Sequence, residues 1–154
     1  MTPLDPRQLW VLRVRAAVAG LLPLLLAAAV DRGALREAAA LPVGTLPAAV
    51  AALVLLAVLV LPRRRYRAWG YREGEDELHV RHGLLVRVRT VVPFGRVQHI
   101  DVAQGPVERR FGLATLILHT AGTRGAAVPL PGLPHAEAEA MRERIRAKIR
   151  QELA

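Results

Sequence analysis

Residues 41 to 61, LPVGTLPAAVAALVLLAVLVL, run for 21 positions without a charged side chain. At about 1.5 Å per residue a helix of this length reaches ~31 Å, enough for a bilayer core. Twelve of these residues are Leu or Val, which on the insertion scale contribute about −5 kcal/mol together. The stretch predicts a transmembrane helix over 41–61. A buried core helix is the alternative, but a soluble domain this small can hardly cover such a helix on all sides.

A first span is predicted over 10–30, WVLRVRAAVAGLLPLLLAAAV. Arg13 and Arg15 sit in its first two turns, from which both can snorkel to headgroups. Pro23 is tolerated better in a membrane helix than in a soluble one. A rival reading makes Arg7, Arg13 and Arg15 the basic start of a signal peptide, residues 16–30 its apolar stretch and Ala27 to Ala29 its cleavage site. That reading leaves the exit of the second span unchanged.

Arginine asymmetry sets the orientation. Three arginines open the chain, the connecting loop sets Arg32 and Arg36 beside Asp31 and Glu37, and four arginines follow in RRRYR. The positive-inside rule then places both termini in the cytoplasm of a multi-pass cell-membrane protein. The expected membrane-interface set is Trp10, Arg13, Arg15, Arg63, Arg64, Arg65, Tyr66, Arg67 and Trp69. Trp69 and Tyr71 also alternate as strand residues do, so core packing in a first strand is their other reading.

The whole chain carries 22 basic residues, 21 of them arginine, against 13 acids, a formal charge of +9. Such a balance suggests an anionic partner, nucleic acid or membrane surface. Cysteine, serine and asparagine are absent, which excludes serine and cysteine nucleophiles, thiolate metal sites and N-glycosylation.

The chain therefore divides into an N-terminal region, 1–66, and a domain, 67–154. The second is read as β-rich with one closing helix over 135–152. Strands are expected at Tyr66 to Arg72, Glu77 to Arg81, Leu85 to Val92, Arg96 to Val102, Ala114 to Thr120 and Ala126 to Leu130. In the hairpin centred on Gly83, Leu78 and Val80 are expected to share a face with Val88 and Val86. Glu77 then opposes Arg89, and His79 opposes Arg87. The other face, with His79, Arg81, Arg87 and Arg89, is polar and mostly basic: a solvated sheet face or a partner and lipid contact. The closing helix has acids early and bases late, with Ala138, Met141, Ile145 and Ile149 as its apolar stripe. Arg142, Arg146 and Arg150 line a neighbouring face. In GPVERRFG, Gly105-Pro106 turns the chain, Val107 and Phe111 make one apolar helical turn and Gly112 ends it in a left-handed conformation. Arg109 and Arg110 are held outward as further contact candidates.

With VVPFGRVQHIDVAQGPVERRFGLATLILHTAG, residues 91–122, the chain resembles the bacterial pleckstrin-homology-like (PH) domain membrane proteins of the YdbS-like family. The matching residues are Pro93, Arg96, Gln98, Gln104 to Pro106, Glu108, Arg109, Phe111 to Leu113 and Thr120 to Gly122. The resemblance implies an α+β fold: a two-helix transmembrane hairpin, then a PH-like β-sandwich or open barrel capped by one helix. It implies no reaction. Eukaryotic PH domains that bind phosphoinositides use basic residues between their first two strands. Here Arg72 to Glu77 carries four acids and one base, which repels anionic headgroups.

The functional expectation is a non-enzymatic, cytoplasm-facing interaction module that binds protein partners, itself included, or anionic lipid headgroups. A structural adaptor in a membrane complex or transporter is the alternative, and an unrecognised enzyme a more distant one. His99 and Asp101 are expected on opposite strand faces, as are His79 and His82, so neither pair is expected to form a dyad or chelate. No catalytic residue, cofactor or metal ligand is assigned. The acidic loop lacks the ligand spacing of a calcium loop. Nucleic acid is not expected, because the arginines are not interleaved with stacking aromatics. The topology is directly testable: reporters fused after Arg67 and at Ala154 should both be active only as cytoplasmic reporters, and periplasmic activity at either site contradicts it.

Overall fold

The computed structural model describes residues 1–33, 42–121 and 127–152. It contains two compact units, Leu12–Arg63 and a second made of Met1–Val11 with Arg64–Ala154. The expected first region, 1–66, is thus divided, because the extreme N-terminus belongs with the β domain.

Helix α1 spans Gln8–Gly33 and α2 spans Thr45–Ala68. Both are long and apolar enough to cross a membrane. Helix α1 overruns its expected span at both ends, whereas α2 starts at Thr45, inside the expected one, and runs past its end; residues 34–41, the start of the second expected span included, lie outside the described residues. Arginine and alanine are strong helix formers, so RRRYRA extends α2 to Ala68 and the strand expected from Tyr66 starts only at Gly70. Within the helical unit, Gly20 lies against Val54, where a Cβ would meet the valine side chain. Asp31 closes the loop end by accepting a hydrogen bond from the Gly44 N–H at 2.8 Å. Leu21, Leu22, Leu25 and Leu26 on α1, and Leu53, Leu55 and Leu56 on α2, remain exposed, an apolar surface suited to acyl chains.

The second unit holds two antiparallel three-stranded sheets. One orders β1 (Gly70–Glu73), β2 (Glu77–His82) and β3 (Val88–Pro93). The other orders β4 (Val97–Ala103), β5 (Leu113–Thr120) and β6 (Ala127–Pro134). A short helix α3, Pro106–Arg110, joins β4 to β5, and α4, His135–Glu152, closes the domain. Ala138, Met141 and Ile145 of α4 are buried in one core with Leu78, Val80, Val92, Phe94, Leu116, Leu118 and Leu130. Tyr66, Trp69, Tyr71 and Ile149 pack against it, which is the core-packing alternative for Trp69 and Tyr71. Gly112 follows α3 with φ +67°, the left-handed end read from the sequence. Strand boundaries otherwise shift by a residue or two, except that β6 runs on to Pro134 and β3 starts late, at Val88. Ala126 and Gly122 lie outside the described residues.

The N-terminal segment is strapped onto this domain. Leu4 is 2% exposed and part of the core. Its carbonyl accepts from the Tyr66 hydroxyl at 2.8 Å. Thr2 and Tyr71 exchange backbone hydrogen bonds of 2.7 and 3.0 Å. The Asp5 N–H donates to the Gly132 carbonyl at 3.0 Å. Arg7 grips both Asp5 carboxylate oxygens and donates to the Phe111 carbonyl at 3.2 Å. Those hydrogen bonds hold the Asp5 carboxyl below its ordinary range against an opposing push from partial burial.

Two outcomes follow for thermal or chemical denaturation of the full chain in detergent. Ile145→Ala should cost about 2–4 kcal/mol, and an unchanged midpoint would mean that α4 is not part of the core. Because the folded pKa of Asp5 is depressed, its contribution is complete above the ordinary carboxylate value, about 3.9, and is lost as pH falls through the depressed one. Asp5→Asn should therefore lower the midpoint at pH 7 and make progressively less difference as the pH drops below about 4.

Candidate functional site

The β2–β3 pairing sets Leu78 opposite Val92, Val80 opposite Thr90 and Arg81 opposite Arg89. The expected register is corrected: Glu77 faces Pro93 instead of Arg89, and His79 faces Val91 instead of Arg87. Alternation fixes which residues share a face, but four more residues of offset preserve the same parity. The offset arises because Gly83 to Arg87 form a loop. Gly83 has φ +106°, and a Cβ there would run into the Val86 carbonyl, so this turn requires glycine.

That loop lifts an apolar tip out of the domain. Leu85 is 96% exposed and Val86 73%, although Val86 is a residue the sequence pattern assigns to the buried face. Around the tip, Arg64 and Arg67 from the last turns of α2, Arg81 from β2, Arg87 from the loop and Arg89 from β3 line one concavity of about 370 Å³. Among the described residues, none of these five guanidiniums is ion-paired with a carboxylate. Arg81 and Arg89 are direct cross-strand neighbours, an arrangement that costs stability for like charges. The structure thus joins two sets of arginines that the sequence separates into junction and sheet face.

The other candidates are distributed elsewhere. His79 hydrogen-bonds Glu77 at 2.6 Å. Arg109 and Arg110 are exposed on α3 and do not line the arginine cavity. Arg142 and Arg146 flank a groove beside Val97 to Ile100, but Arg142 is paired with Glu139 and Glu143. The acidic loop is engaged by α4: Arg144 bridges Glu73 and Glu137 at 2.9 and 2.8 Å, and Lys148 donates to the Gly74 carbonyl at 2.8 Å. Hydrogen bonds donated to Glu73 first and Glu137 second raise the Arg144 pKa further. Tyr71 is raised mainly by burial and secondarily by Glu137 and Glu73. The acidic loop is thus tied to the domain that carries it.

His99 and Asp101 do not point to opposite faces. Two residues apart on a strand share a face, and they approach to 3.8 Å. Opposite them on β5 stands His119, a residue the sequence reading missed. The i, i+2 spacing was a usable signal for the first two; the third depends on strand register.

A model of the bacterial PH domain matches residues 16–149 of the chain. The chain belongs to the bacterial PH domain family. It is 35% identical over 91 residues to the UPF0699 transmembrane protein YdbS of Bacillus subtilis (strain 168), a match covering 59% of this chain and 55% of that relative. The chain thus spans about half the length of the curated relative it matches. No solved structure matches it. Family membership agrees with the two apolar helices and the sheet-and-helix domain, and the membrane location follows from both.

Proposed function

We propose that this chain is a membrane-anchored, cytoplasm-facing interaction module without catalytic activity, and that its arginine cavity takes the phosphate of anionic lipid headgroups. The observation that carries this is the Arg81–Arg89 cross-strand pair, surrounded by Arg64, Arg67 and Arg87 without an acidic partner among the described residues. An anion seated there offsets the repulsion and gains charge-assisted hydrogen bonds from a guanidinium fork. Arg64 and Arg67 follow the last apolar residue of the span by only a few positions, so headgroups are the nearest concentrated source of phosphate. The exposed Leu84, Leu85 and Val86 supply the apolar part of the same contact, worth about 1.5–3 kcal/mol for each fully buried Leu or Val. Two spans already anchor the chain effectively irreversibly. Headgroup binding therefore orients the domain and does not recruit it.

Supporting the non-catalytic part are the missing serine and cysteine nucleophiles and a site built of arginines, which hold anions but cannot exchange protons near neutral pH. The test is native mass spectrometry of the full chain in neutral detergent, titrated with short-chain phosphatidylglycerol or phosphatidylcholine. Phosphatidylglycerol should bind preferentially, and Arg81→Glu with Arg89→Glu should weaken it at least about tenfold. Replacing Glu75 and Asp76 by Gln and Asn should change little. Equal binding of both lipids, or loss of binding on neutralising the acidic loop alone, would overturn the assignment.

A further inference from the structure

We infer that His99, Asp101 and His119 form a binding site for a first-row divalent transition metal such as zinc, separate from the arginine cavity and independent of the lipid reading. The site is built by antiparallel pairing of β4 with β5. His99 lies directly opposite His119, and Asp101, two residues further along β4, shares their face. The imidazoles stack nearly parallel, with centroids 3.9 Å apart and planes inclined by 11°. Both Nε2 atoms converge on one carboxylate oxygen, Asp101 Oδ2, at 3.0 Å from His119 and 3.8 Å from His99. One donor atom from each residue falls within 4.8 Å of the others.

Metal–ligand bonds of about 2.0–2.2 Å at tetrahedral angles place donor atoms roughly 3.3–3.6 Å apart. The two separations from Asp101 Oδ2, 3.0 and 3.8 Å, bracket that range, and closure requires the stacked rings to rotate so that their in-plane Nε2 lone pairs, parallel in the stack, converge on one ion. A hydrogen bond between Asp101 and one histidine explains the 3.0 Å contact but not why the second imidazole stacks on the first and turns its Nε2 to the same oxygen. Two imidazoles and one carboxylate suit zinc, copper or nickel, whereas calcium and magnesium ask for an all-oxygen set. Three protein donors leave a fourth position open. His99 and Asp101 are more than half exposed, so that position is available to water or to a donor from a partner, and binding needs no unfolding of the core. A bound ion would cross-link β4 to β5 on the outer face of the sheet.

The test is isothermal titration of the purified, untagged full chain in detergent with zinc, with cobalt followed in parallel by its visible absorption. One equivalent should bind, with a cobalt spectrum indicating nitrogen and oxygen ligands. His99→Ala, His119→Ala and Asp101→Asn should each weaken binding at least about tenfold, while His79→Ala and His82→Ala should leave it unchanged. Thermal midpoints without metal should stay close to wild type, because all three side chains are on the surface. Absence of saturable binding, or equal affinity in a His99→Ala with His119→Ala variant that retains its fold, would overturn the site.

Discussion

Burying Leu78, Val80 and Val92 on one face of the β2–β3 hairpin forces the intervening residues, Arg81 and Arg89 among them, onto the other, where the register imposed by the Gly83 loop sets the two opposite each other. A strand has no third face, so once the apolar residues go into the core the two guanidiniums must share the outside. The arginine run that ends α2 then completes the ring around the cavity. Hydrophobic burial worth several kcal/mol outweighs a like-charge cross-strand penalty of about 1 kcal/mol or less. The fold can therefore hold an unpaired cationic site in the absence of any ligand.

A second dependence runs through the N-terminus. Leu4 fills part of the core, and the segment around it is fixed by Tyr66, Tyr71, Gly132 and Phe111. Residues from both ends of the membrane region thus contribute to one domain core. A fragment starting at Gly70 would lack both Leu4 and Tyr66, so the domain is best studied in the full chain. The clamp of Arg144 on Glu73 and of Lys148 on the Gly74 carbonyl works alongside this strap and holds the start of the acidic loop against α4.

Legibility in the sequence follows the range of the signal. The uncharged run at 41–61 and the stripe of Ala138, Met141 and Ile145 are local patterns: α4 lies at 135–152, and α2 covers 45–61 of the run but continues through the arginines to Ala68. The left-handed Gly112 is equally local. Hairpin register is not, because shifting β3 by an even number of residues keeps every apolar side chain on its face; only the geometry of the Gly83 loop decides it. Leu4 sits among TPLDPRQ with no periodicity to mark it as core. The arginines of the cavity were each identifiable, yet Arg64 and Arg67 read as a membrane junction and Arg81, Arg87 and Arg89 as a sheet face. Their convergence, like that of His119 on His99 and Asp101, is a long-range result of strand and helix pairing.

The central claim, that the arginine cavity and its apolar rim meet lipid, is tested most directly by a photoreactive residue placed at position 85 in the full chain in native membranes. Leu85 is almost wholly exposed and contributes no packing, so the replacement should leave the fold intact. The account predicts an adduct dominated by anionic phospholipid, diminished by Arg81→Glu with Arg89→Glu. A recurrent protein adduct with no lipid adduct, or a lipid adduct indifferent to those arginines, would contradict it.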